Sequence, residues 1–497
     1  MTADDTAQQN RRDSRAAGIF VASRTAAMLL VAVTYVLATR LYGKLGYAYI
    51  AAIYLIYESS IAIGSLGLPD AVLTFIPRNR ARSAAVVRQV SALLVMAALP
   101  VTGLAMVGGA VMSGPSLDLL PALPWLAAVI LIELPTQPAI NQLIAHNRHG
   151  LASVLFILFA ALRTGAVLAP MAFGWSLHSI PVMMAILGLA RLAAHLWIVH
   201  RLVPLPTGDR WLDRKEMKTI LWFALPVGLG ATVGKINPQI DKYAVQLLLD
   251  TESFAEYTVA AFEVPFVTLI PYAIGAVLQA RYVSLFQEGR IDELRTLWYA
   301  TVEKTVILVV PMATILIVAA EDLIWLLAGP KYLDAAGPFR IFTLVLFHRV
   351  AAYGPMLQAT NQTRVLLFTS LSMVVTNLVL TVPLTLLIGY EGPAVASVIA
   401  VIPPWTITLI RIGDTLGGGI RVALPWRFYG RVFALSAVLG GALYLGRDAL
   451  ALHPALGLPV ALAAFTPVYL AAGYVIGVIK REDLHYLARA LSFGMIK

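Results

Sequence analysis

Along most of its length the chain alternates apolar runs of about twenty or more residues with short polar punctuation. A hydrocarbon layer about 30 Å thick, crossed at about 1.5 Å per helical residue, demands runs of that length. Hydropathy and loop signals predict fourteen helical spans, near 17–39, 47–76, 84–112, 122–145, 150–173, 178–200, 219–249, 254–285, 298–320, 337–359, 365–388, 391–411, 428–446 and 455–479. The expected fold class is therefore all-α, a polytopic membrane protein. Positive charge supports this parse, because cytoplasmic loops hold an excess of Lys and Arg. Segments on the side of the N-terminus carry 25 such residues, against 5 on the other side: Arg40, Lys44, Lys331, Arg340 and Arg447. Both termini are then expected to be cytoplasmic.

Composition agrees with the pattern and narrows the classes of function. The chain of 497 residues is 59% hydrophobic and 13% charged, and no window resembles a soluble domain. The net charge of +10 sits mostly in short loops, so it encodes topology and not nucleic-acid binding. Cysteine is absent, which excludes disulfides and thiolate metal sites. The eight His residues show no metal-ligand spacing, Gly417-Gly418-Gly419 lacks the Lys-Ser/Thr of a nucleotide loop, and no ATPase signature is present. Short outer loops argue against a glycosyltransferase, polymerase or ligase, so no enzyme activity is expected. The spans group as a tail 1–16, a first lobe 17–200, a linker 201–218, a second lobe 219–411, a pair of spans within 412–479 and a tail 480–497. Trp211 is the expected interfacial anchor of the linker, and Leu484, Tyr486, Leu487 and Leu491 suggest a surface helix in the last tail.

Two faint repeats share an offset near 210 residues: Tyr49-x-x-Ala52 with Tyr257-x-x-Ala260, and Ala145-His146-Asn147-Arg148 with Ala359-Thr360-Asn361-Gln362. They predict parallel six-helix repeats with a substrate cavity between them. The seventh span carries Lys235, Asn237, Gln239, Asp241 and Lys242 where a lipid-facing helix would be apolar. Lys235, Gln239 and Lys242 share one side of that helix. Charges within or near the hydrocarbon region are Arg24, Arg163, Arg191, Lys235, Lys242, Lys304 and Arg349, with Glu58, Glu133, Asp241, Glu263 and Glu303. At about 2.5–3.5 kcal/mol for each central charge, most must face protein or water. Each has an interhelical ion pair as its alternative role. Arg24, Arg163, Lys235 and Arg349 have no adjacent acid in sequence, and together with Arg191 and Lys242 they form the candidate binding set for an anionic substrate.

Four motifs follow one another along the chain: Arg40-Leu41-Tyr42-Gly43 with Tyr47; Pro226 and Ile240-Asp241-Lys242 with Tyr257 and Ala260; Leu327-Ala328-Gly329 with Tyr332 and Ala335; and Gly389-Tyr390-Glu391-Gly392-Pro393-Ala394-Val395-Ala396-Ser397. In this order they resemble the multidrug/oligosaccharidyl-lipid/polysaccharide exporter superfamily, most of all its O-antigen-type repeat-unit flippases. Ala48, Pro393 and Ser397 depart from the family pattern. The resemblance implies two six-helix lobes in a V shape plus two C-terminal helices. It also implies transfer of an undecaprenyl-diphosphate-linked oligosaccharide from the inner to the outer leaflet of the bacterial cytoplasmic membrane. Expected partners are that substrate and the membrane, with a polysaccharide polymerase and chain-length machinery as further candidates. No cofactor is implied; proton or sodium antiport would use Glu58, Asp241 or Glu263. The alternatives are a multidrug exporter of the same superfamily, a lipid II flippase, and a non-transport glycan ligase or scaffold.

Overall fold

The computed structural model describes residues 3–78, 82–202, 212–262, 265–450 and 453–483. Trp211, Glu263 and the tail residues Leu484, Tyr486, Leu487 and Leu491 lie outside them. Among the described residues there are helices and connecting turns and no strand. In order the helices are α1 (Ala3–Ser65), α2 (Leu68–Arg78), α3 (Ser83–Met112), α4 (Leu123–Glu133), α5 (Ala139–Ala145), α6 (His149–Phe173), α7 (Ser179–Leu202), α8 (Arg214–Leu248), α9 (Thr251–Ala260), α10 (Pro265–Gln287), α11 (Ile291–Val318), α12 (Ala320–Ala328), α13 (Ala336–Thr343), α14 (Tyr353–Ala359), α15 (Thr363–Ile388), α16 (Gly392–Ala400), α17 (Ile402–Thr415), α18 (Trp426–Leu450) and α19 (Pro454–Val475).

Nine helical runs among the described residues are long and apolar enough to cross a membrane, and α8 adds a tenth if its two segments, bent by 45°, count as one. Two of the nine runs, 23–78 and 363–415, fold back on themselves. In α1 the break falls at Gly43, whose φ of 68° suits a residue without Cβ. A straight helix would separate Thr34 from Glu58 by about 36 Å at 1.5 Å per residue. Yet the Thr34 hydroxyl lies 2.7 Å from that of Thr164, and Glu58 lies 3.1 Å from Arg163, the neighbouring residue. The chain therefore reverses at Gly43. In the second run Gly389 takes φ 70°, and Gln362 at one end donates to the Thr415 hydroxyl at the other over 2.7 Å. The eighth and tenth predicted spans are not single helices: residues 261 and 262 leave helical structure after α9, and a 3-10 turn at Leu344–Phe347 followed by a bend separates α13 from α14. Val350 and Ala352 in that second break are buried, as non-helical backbone at membrane depth must be.

The helices divide into two compact units, residues 1–255 and 256–497. In the first, Leu68, Val72 and Ile76 of α2 pack with Val90 and Leu94 of α3 and with Ile220 and Ala224 of α8. Gly228 of α8 crosses the break between α1 and α2 so closely that a Cβ there would stand 2.0 Å from the Leu66 carbonyl oxygen. In the second unit, α18 and α19 are tied to their neighbours at several levels. The Arg447 guanidinium reaches the Val318 carbonyl at 3.2 Å, Glu321 at 3.0 Å and Asp322 at 3.0 Å, while Arg340 holds the other oxygen of Glu321 at 2.8 Å. Further along, Tyr429 donates to Phe347 O at 2.9 Å and Tyr469 to Ile307 O at 3.1 Å.

Each unit contains the same local order. A helix ends in a 3-10 turn, a seven-residue helix follows (α5 or α14), and an Asn at φ 59° leads into a long helix that stops at a positive-φ glycine. The Asn residues are Asn147 and Asn361, and the glycines are Gly174 and Gly389. The turn bonds match as well: Arg148 N to Leu143 O and Gln362 N to Leu357 O are each 2.8 Å. This is a left-handed helix stop, tolerated by Asn because its short polar side chain adopts αL more readily than most. The sequence matches at these positions thus correspond to a repeated backbone motif.

Candidate functional site

Four apolar stretches of the first unit each bring one charge to a common place. The arm of α1 after the Gly43 reversal carries Tyr54, Tyr57 and Glu58 at i, i+3 and i+4, so they share a face. Glu133 is the only charged residue of α4, Arg163 the only Arg, Lys, Asp or Glu of α6, and Arg191 stands in the middle of α7. A membrane helix cannot leave such groups against lipid, and here they meet one another.

The Glu133 carboxylate is 2% exposed and takes a 2.6 Å hydrogen bond from the Arg191 guanidinium. Its Oε2 also accepts from the Tyr57 hydroxyl. That hydroxyl in turn accepts a 2.6 Å bond from one terminal nitrogen of Arg163. The other terminal nitrogen of Arg163 donates to Glu58 Oε1 at 3.1 Å. Glu58, Arg163, Tyr57, Glu133 and Arg191 are thus one chain of contacts with two positive and two negative charges. Aromatic faces complete it: Arg163 lies 4.8 Å from the Tyr57 ring centroid and 5.8 Å from that of Tyr54, and Arg191 5.4 Å from that of Phe159. Gly188 packs alongside the buried carboxylate: a Cβ there would stand in ordinary van der Waals contact with Glu133 Cγ, at 3.4 Å.

The structure pairs two of the candidates with acids and distributes the rest. Arg163 is not without an acid, because the fold supplies Glu58 from a helix 105 residues away in sequence. Arg191 pairs with Glu133, its alternative role. Asp241 on α8 is buried, and its Oδ1 accepts from the backbone N–H of Lys242 at 3.0 Å. Lys242 is half-buried with Nζ 3.5 Å from Gln239 Oε1, while Lys235 is exposed. Arg24 is exposed on the first arm of α1. Arg349 belongs to the second unit, half-buried in the non-helical stretch between α13 and α14. Tyr57, the bond that joins the two ion pairs, is absent from the candidates read in sequence. The Tyr54-x-x-Tyr57-Glu58 spacing was its only signal there.

Residues 15–282, more than half of the chain, match the family model described as "Polysaccharide biosynthesis protein". No curated protein matches in sequence. The fold is similar to that of the lipid II flippase MurJ in its inward closed conformation, with a TM-score of 0.72 and 15% identity over 92% of this chain and 98% of that one. It is similar to an inward-facing multidrug resistance MATE family transporter of the MOP superfamily, with a TM-score of 0.61 and 14% identity over 78% of this chain and 95% of that one. A MOP superfamily transporter from Pyrococcus furiosus aligns with a TM-score of 0.50 and 13% identity over 81% and 95% of the two chains. At such identities the likeness is one of fold.

Proposed function

The chain belongs to the polysaccharide biosynthesis protein family and has the multi-pass fold of MOP transporters, and from that premise we propose that it flips an undecaprenyl-diphosphate-linked oligosaccharide to the outer leaflet of a bacterial cytoplasmic membrane. The observation that carries this reading is the convergence of four charges from four apolar helices on one network with Arg163 at its more exposed end. Guanidinium groups match the paired oxygens of a diphosphate or a sugar carboxylate, and an aromatic flank suits them in a site partly shielded from water. Arg24, Lys235, Lys242 and Arg349 are further cations for the same cargo. Transport proceeds by alternating access, with the lipid tail left in the bilayer and both chain termini in the cytoplasm. A proton or sodium gradient resets the cycle through Asp241, Glu58 or Glu263, and a polymerase with its chain-length machinery takes up the glycan outside.

Reconstitution in proteoliposomes loaded with a lipid-linked oligosaccharide tests the proposal. Wild-type protein is expected to move the glycan across the bilayer, and Arg163→Gln to slow that movement at least tenfold. Sugar transfer without a change of leaflet would overturn it. The fold shared with MurJ favours a second reading, lipid II as cargo. Offering both lipids to the same vesicles decides, since the preferred cargo is the one moved faster.

A further inference from the structure

The two carboxylates of the network differ in a way that assigns them different tasks. Glu133 is 2% exposed and held by both Arg191 and Tyr57. Glu58 is 47% exposed and, among the described residues, makes one bond, 3.1 Å long, to Arg163. Arg163 itself is divided: one terminal nitrogen is committed to the Tyr57 hydroxyl at 2.6 Å, and the other meets only the loosely held Glu58 among the described contacts. Because Tyr57 gives its own proton to Glu133, it can only accept from Arg163. The guanidinium is therefore fixed from behind and exchangeable in front.

We infer that Glu58 is an internal stand-in for the cargo's anion, occupying the exchangeable face of Arg163 until the diphosphate displaces it. The inference rests on the flippase reading and adds the competitor to it. With Glu58 in place the network balances two positive against two negative charges. Where the exposed face of Glu58 opens on a water-filled cavity, swinging it aside costs little, because the carboxylate takes up water in place of the ion pair. The network then presents one uncompensated positive charge, which an arriving diphosphate oxygen neutralises. Glu133 meanwhile keeps Arg191 and Tyr57 where they are, so the site changes partner without losing its shape. Glu58 also deters anions that bind Arg163 no better than a carboxylate does, which makes it a specificity residue as well as a counter-ion.

The test uses the full-length purified protein, titrated with a polyprenyl diphosphate in one arm and inorganic pyrophosphate in the other. Glu58→Gln is expected to bind the polyprenyl diphosphate about fivefold tighter than wild type, equivalent to about 1 kcal/mol. Glu58→Asp, which keeps the charge but shortens its reach, should fall between the two. Arg163→Gln is expected to weaken binding at least tenfold, and adding Glu58→Gln to it should restore nothing, because the competitor acts only through that guanidinium. Equal affinity of Glu58→Gln and wild type, with Arg163→Gln still weak, would overturn the stand-in role and leave the flippase reading in place. The expected order with pyrophosphate but no binding of the lipid would support the exchange and count against the lipid cargo. Indifference of both ligands to all the variants would overturn both.

Discussion

Arg163 and Arg191 are the same residue type in similar helices, and their surroundings separate stability from transport. Replacing Arg191 by Gln leaves the buried Glu133 without its counter-charge, for which the cost is about 3–5 kcal/mol. The purified Arg191→Gln variant is expected to show a clear loss of thermal stability. Arg163→Gln leaves behind an acid that is 47% exposed and not a buried one, so it should lose less stability than Arg191→Gln while failing in translocation. A stability loss equal for the two variants would contradict this division. The sequence identified both arginines and both carboxylates, since a lone charge on an apolar helix must find protein or water. It did not reveal the pairing: Arg163 lies 105 residues from Glu58, and Arg191 lies 58 from Glu133. Tyr57 escaped notice because an aromatic ring within a span reads as apolar, and its hydroxyl acquires a role only when Glu133 and Arg163 arrive on either side.

Among the elements, the reversal of α1 was legible, for Gly43 sits in a short polar stretch between two long apolar runs. The breaks around 261–262 and 344–352 were not, since their residues are largely apolar and the interruption depends on packing. Gly228 marks another close approach between elements. Gly228→Ala would drive a Cβ to 2.0 Å from the Leu66 carbonyl oxygen, backbone that cannot swing away. The expected result is a destabilised protein with α8 displaced from the α1–α2 break, measured as a lower melting temperature. An unchanged melting temperature would show that the two breaks are not locked together. In the first turn of α12, hydrogen bonding from Arg340, aided by Arg447, holds the Glu321 carboxyl below its ordinary 4.5. Burial pushes the Asp322 carboxyl up, partly offset by Arg447. Glu321 thus contributes stability that is fully present above about 4.5 and lost as pH falls through its depressed folded value, while Asp322 contributes in the opposite sense. Glu321→Gln is expected to cost on the order of 1 kcal/mol at neutral pH and to flatten the loss of stability on acidification. Asp322→Asn should cost less.

For the molecule as a whole, the helical membrane fold was readable because it follows from local composition; the Asn147 and Asn361 segments were matched as a repeat, but their left-handed turns appear only in the structure. The fourteen-span parse carries a sidedness that can be checked directly. With no native cysteine in the chain, single cysteines report without background. Lys215→Cys is expected to react with an impermeant thiol reagent only from the cytoplasmic side, and Ser116→Cys only from outside. Matching accessibility at the two positions would break the alternation. The ties that Arg447, Tyr429 and Tyr469 make at separate levels of α18 and α19 have a mechanical consequence. A helix pinned at one height can pivot, but a pair pinned at several heights can only be carried. Spin labels placed on α11 and α18 should therefore keep one fixed separation through every stage of the cycle, which makes that pair a built-in ruler against which the motion of any other helix can be measured.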